Sequence, residues 1–215
     1  MDPETPPLLR GWLHLVCFFL ALPAGFVVVR AAETTRGRTG AVIYAVGLAA
    51  LFGVSAAYHR GHWSLPARAR MRRADHATIF LMIAASYTPI CLVALPGRGG
   101  ITLLVAAWAG ALGGFVLAVL GIAERKGVGL ACYITLGWVA ALAFPGLTRH
   151  LTGGQMALLV AGGVIYTVGG IVLGSRHPDP FPRVFGYHEV WHTMVVVAAV
   201  CHFILIISLV GAAGT

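Results

Sequence analysis

Seven stretches of this chain carry no Asp, Glu, Lys or Arg: 11–29, 39–59, 76–97, 99–123, 127–148, 150–175 and 190–215. The shortest is 19 residues long and the longest 26. A helix needs about 20 apolar residues to cross the hydrocarbon core of a bilayer. The 15 basic and 7 acidic side chains are all confined to the short segments between these runs. Charged residues make up 10% of the chain and hydrophobic ones 59%, whereas a soluble domain is roughly a quarter charged. A soluble globule, a disordered chain and a nucleic-acid-binding domain are excluded, despite the net charge of +8.

The expected fold is all-α: a polytopic membrane protein with seven transmembrane helices in a single domain over 1–215. The helices are placed at approximately 11–30, 39–59, 76–95, 101–123, 129–147, 154–174 and 186–211. In lipid only helices and closed barrels satisfy the backbone, and these runs lack the alternation of barrel strands. The first run exceeds the usual 7–15-residue apolar core of a signal peptide and precedes no small-residue cleavage site, so it reads as a helix. Pro89 is expected to kink the third helix and Pro145 to end the fifth.

With the N-terminus inside, the inner segments hold ten of the basic residues and the outer segments five. The positive-inside rule then puts the N-terminus in the cytoplasm and the C-terminus outside. The densest cluster, Arg68, Arg70, Arg72 and Arg73, falls in the loop between helices 2 and 3, where it is a topology determinant and a contact for anionic lipid headgroups. Cys17, Cys91, Cys132 and Cys201 lie singly in four runs, without CxxC spacing, and read as packing residues. Only one of the 15 basic residues is Lys, and Ala and Gly are abundant, a usage that points to a GC-rich bacterial genome; the expected location is the plasma membrane.

The exceptional polar residues fall at the span edges. His59 ends the second run, and Ser55 lies one helical turn before it. Asp75 immediately precedes the third run, and His188 and His192 stand at i, i+4 at the start of helix 7. In a seven-helix serpentine these positions share one membrane side. His residues at i, i+4 lie about 6 Å apart along the axis and can hold one ion. His59 completes a three-histidine site with a fourth position left for water, the pattern of catalytic zinc. Such an ion lowers the pKa of its water to about 7. Asp75 is then placed to orient the water or take its proton, and Ser55 to hold the water or an oxyanion.

The segment His188-Glu189-Val190-Trp191-His192 also matches HExxH, in which the Glu is the general base of a metalloprotease. Asp75 already supplies a carboxylate, so Glu189 reads instead as a supporting neighbour of the ligands. His76 and His62 flank the site and are candidates for the same role. His202 lies about 15 Å beyond His192 along the helix, too far to share the ion. His14, His150 and His177 read as interfacial, and Trp12, Trp63, Trp138 and Trp191 as anchors at run ends.

Ser55-Ala-Ala-Tyr58-His59, Ala74-Asp75-His76-Ala-Thr-Ile79 and Ala85-Ser86-Tyr87-Thr88-Pro89 resemble the helix 2–3 signature of the hemolysin III branch of the progestin and adipoQ (adiponectin) receptor family. Phe185 to His192, with Cys201-His202-Phe203, resembles its helix 7 signature. The resemblance spans almost the whole chain. It implies seven helices with the N-terminus inside, and a zinc ion on His59, His188 and His192 with Asp75 and Ser55 beside its water. The receptor branch is associated with ceramidase-like hydrolysis of lipid amides, and the bacterial branch with cytolysis and membrane-lipid homeostasis. The receptor branch has a long N-terminal domain, where this chain places about ten residues before its first helix.

The expected function is that of a zinc-dependent hydrolase of a membrane-lipid amide or ester, using one Zn2+ held by three His plus water. The alternatives are a cytolytic channel or pore, and a membrane-homeostasis sensor without catalysis. A pore is disfavoured because the spans offer only scattered hydroxyls across the membrane centre.

Overall fold

A computed structural model describes residues 6–95, 97–125 and 127–212. Among these, seven helices are long and apolar enough to cross a membrane. They are α1 Trp12–Ala31, α2 Thr35–Arg60, α3 Leu65–Ala94, α4 Arg98–Val119, α5 Val128–His150, α6 Gly153–Ser175 and α7 Tyr187–Gly211. Helices α1 to α4 pack each on the next, α6 packs on α7, and α7 returns to α1 while also touching α2 and α3. Tyr44, Leu48, Phe52, Val195 and Ile206 form the core where α1, α2 and α7 meet. Large apolar side chains such as Phe19, Phe26 and Val105 point outward, as a lipid-facing surface requires.

The third helix differs from its expected bounds. It begins at Leu65 rather than 76, so the Arg68–Arg73 cluster is helical and not a loop. Charge ends a membrane run but does not end a helix. Ala, Arg and Met are strong helix formers, and Pro66 sits in the first turn, where its missing N–H has no partner to lose. The disturbance at Pro89 takes the form of a π-helical turn over Ile90–Ala94. Pro89 also packs closely on α2, where a Cβ on Gly40 would come within 2.7 Å of its Cα.

The fifth helix corrects the expectation for Pro145. The chain does not stop there: Pro145 lies in the first turn of a final helical segment, Phe144–His150. The break falls upstream, in a 3-10 stretch over Trp138–Ala143, which relieves the backbone that Pro145 would otherwise clash with. Tyr87 of α3 fills this break. Its hydroxyl accepts from the Ala140 N–H at 2.7 Å and donates to the Gly137 carbonyl at 2.7 Å. Backbone groups freed inside a membrane need such partners.

Candidate metal centre

The end of α2, the polar start of α3 and the start of α7 meet at one end of the bundle. Short connections bring them there, and the segment before α1 ties the corner together. The Leu8 and Leu9 N–H groups donate to the carbonyls of Arg183 and Val184, at 3.0 and 3.1 Å. The Arg60 guanidinium lies 4.1 Å from the Trp12 ring. Two N–H groups at the N-terminal turn of α7 are satisfied by carboxylates. Gly186 N donates to Glu189 at 2.8 Å and Tyr187 N to Asp179 at 2.8 Å. These caps hold the turn that carries His188.

His59, His188 and His192 come together so that one ligand nitrogen from each lies within 4.8 Å of the others. His192 is buried and the other two are half-buried. The Nε2 atoms of His59 and His188 are 3.3 Å apart. Tetrahedral donors about 2.0–2.1 Å from a common ion are separated by about 3.3 Å, so this pair has the spacing that one ion demands. The three imidazoles, from two helices, lie close enough to one another to hold a metal ion, and they are largely out of water.

Asp75 lies beside this cluster, with its Oδ2 4.0 Å from His59 Nε2. That is beyond direct hydrogen bonding. Ser55 is buried and its hydroxyl faces the Asp75 carboxyl. His76 is half-buried beside Asp75, its Nδ1 has no partner among the described residues, and its carbonyl accepts from the Tyr133 hydroxyl at 3.3 Å. His62 is exposed in the α2–α3 turn and is not brought to the cluster. Glu189 is buried but engaged elsewhere. One carboxylate oxygen accepts from Arg10 Nε and the other from Gly186 N, so both are engaged in building this corner.

One histidine has a place that the sequence reading missed. His14 reads as interfacial, yet it is 3% exposed and its ring stacks on that of His192, with centroids 3.8 Å apart and planes within 6°. Neither of its nitrogens has a partner among the described residues. The available signal was topological, since the start of α1 shares a bundle end with the three candidate ligands. It was obscured because His14 forms no spaced pair with them.

From the cluster a cavity of about 400 Å³ runs between α3, α5, α6 and α7. His14, Ser55, Asp75, His188 and His192 line one end, and Ile83, Leu103, Leu147 and Leu159 are among the apolar side chains farther in. Glu124 lies at the rim, bridged by Arg72 through Nε at 3.1 Å and Nη2 at 2.6 Å.

Comparison with known proteins agrees over nearly the whole length. The sequence pattern of the Haemolysin-III related family matches residues 4–203. Hemolysin-3 of Bacillus cereus is 32% identical over 187 residues, 85% of this chain and 82% of that protein. The Hemolysin-3 homolog of Bacillus subtilis (strain 168) is 33% identical over 133 residues, 62% of this chain and 60% of that protein. The human Monocyte to macrophage differentiation factor is 30% identical over 195 residues, 86% of this chain and 77% of that protein.

Proposed function

Because the chain belongs to the Haemolysin-III related family, in the hemolysin III branch of the progestin and adipoQ receptor family, we propose that it is a zinc-dependent hydrolase of a lipid amide or ester. One observation carries this reading. Three imidazoles with donor atoms within 4.8 Å of one another stand at the polar end of a largely apolar cavity, beside an aspartate and a serine.

A zinc ion bound there would polarise a carbonyl and acidify a water molecule. Asp75 accepts the proton of the water that adds to the substrate carbonyl, and returns it to the departing amine or alkoxide. The products are a fatty acid and an amine or alcohol. Ser55 donates its hydroxyl hydrogen bond, either to the developing oxyanion or to Asp75. The apolar walls accept the acyl chain and exclude bulk water from the reacting carbonyl. Stacking of His14 on His192 fixes the plane of that imidazole.

In this reading the N-terminus is cytoplasmic, the chain resides in a bacterial plasma membrane, and the exposed Arg68 and Arg70 meet anionic headgroups. Support comes from the excess of basic residues on the segments sharing that bundle end.

The test is metal analysis joined to product analysis. Purified protein is expected to hold one zinc per chain, and His188→Ala to lose it. Asp75→Ala is expected to keep the metal but to release no fatty acid from ceramide-type or ester lipids in vesicles. Wild-type protein without stoichiometric zinc, or Asp75→Ala with undiminished product, overturns the proposal. The name of the Bacillus cereus relative associates that protein with haemolysis. Dye leakage from vesicles that persists in His59→Ala would favour a pore instead.

A further inference from the structure

Away from the metal centre, most polar side chains lining the cavity are satisfied inside the protein. Ser86 donates to the Met82 carbonyl at 2.9 Å and Thr167 to the Gly163 carbonyl at 2.8 Å. The Tyr87 hydroxyl is occupied in the break of α5. Two side chains differ. His202 of α7 and Tyr166 of α6 both line the cavity, with ring centroids 5.7 Å apart. His202 Nε2 lies 3.4 Å from the Leu159 carbonyl, and Nδ1 has no partner among the described residues. The Tyr166 hydroxyl has none either. Gly162 leaves room for this arrangement, since a Cβ there would collide with the His202 ring.

An ionisable ring inside a membrane span is costly, and such residues usually face a cavity with a role in it. With Nε2 donating to Leu159, the neutral tautomer leaves Nδ1 as an acceptor. The hydroxyl of the neighbouring Tyr166, whose ring centroid is 5.7 Å from that of His202, can donate. An alcohol offers one donor and acceptor lone pairs, so a single hydroxyl lodged between the two side chains has the chemistry to serve both, whereas a ketone or methylene does not. His202 lies ten residues beyond His192, about 15 Å along α7. A chain with its carbonyl at His192 would meet this pair partway along its length.

We infer that His202 and Tyr166 form a specificity subsite for an acyl chain bearing a mid-chain hydroxyl. The inference rests on the proposal that the cavity takes a lipid acyl chain, but it requires neither metal nor turnover.

Oleate and ricinoleate differ by one mid-chain hydroxyl and serve as probes. Their binding to the purified full chain is measured by displacement of a fluorescent fatty acid. Wild-type protein is expected to bind ricinoleate about five- to thirtyfold more tightly, the range for one or two net hydrogen bonds. His202→Phe and Tyr166→Phe are each expected to reduce that ratio toward unity. Measuring both variants guards against one of them failing to fold, and melting curves report on folding. Equal affinities in the wild type, or a preference that survives both substitutions, overturns the inference alone. Absence of binding by either fatty acid overturns it together with the lipid reading of the cavity. A ricinoleate preference in a protein that releases no product would leave the subsite standing and sink the hydrolase.

Discussion

Glu189 stands between two candidate ligands in the chain, yet both of its carboxylate oxygens are used to build the corner rather than to serve the centre. One holds Arg10 and the other caps Gly186. Glu189→Ala leaves Arg10 without its partner and removes one of the two caps on α7, at a cost of about 3 kcal/mol, the low end for breaking a buried pair. The low end applies because the Arg10 side chain keeps 21% of its exposure. Glu189→Gln retains an acceptor for Gly186 N, so it is expected to lower the melting temperature less and to keep zinc. A Gln variant that folds and binds zinc but loses all activity would restore the metalloprotease-like role for Glu189. His14 shows the opposite relation. It is distant in sequence from every candidate ligand, and only the packing of α1 on α7 sets its ring on His192. Chain position was a poor guide to the work of either residue.

At the scale of single helices, close approach governs what each position tolerates. Gly40 faces Pro89, where an added methyl group would come within 2.7 Å of Cα and 3.0 Å of Cβ. Both are rigid atoms, so Gly40→Ala must move α2 away from α3, an overpacking cost of about 1–3 kcal/mol. Gly113, on the exposed side of α4, meets nothing within 4 Å. Gly113→Ala is expected to be neutral or to stabilise by about 0.4–1 kcal/mol, through the lower entropy of the unfolded chain. Equal melting temperatures for the two variants would contradict the observed helix contact. The positions of the spans were legible from charge alone, because a bilayer penalises charge irrespective of partner. The ends of helices were less legible. Residues 65–75, which α3 adds ahead of its expected start, are rich in Arg and none of them is buried, so no hydrophobic pattern marks them as helical. The freed backbone groups of the 3-10 break in α5 find their partner in Tyr87, which belongs to a different helix.

For the whole molecule, the distribution of basic residues predicts a sidedness that the bundle geometry does not choose. A protein and its inverted copy have identical internal packing, and only the charges at the two faces distinguish them. Alkaline phosphatase fused to the C-terminus is therefore expected to be active in a bacterial host, and a fluorescent protein at the same site to be dark. The reverse pattern would place the histidine cluster at the outer face and overturn the assignment.

The sequence by itself determined the class of solvent, the number of spans and a short list of polar residues at their edges. Those follow from local properties: the cost of charge in hydrocarbon, the length of a helix that spans it, and the i, i+4 repeat. Tertiary structure decided which of those residues meet. It brought His59, His188 and His192 to one point with Asp75 beside them, left His62 in solvent, turned Glu189 toward Arg10 and added His14. It also created the cavity and the open atoms of Tyr166 and His202. Distances between side chains on different helices depend on how the helices pack, and no single segment of the chain encodes that packing.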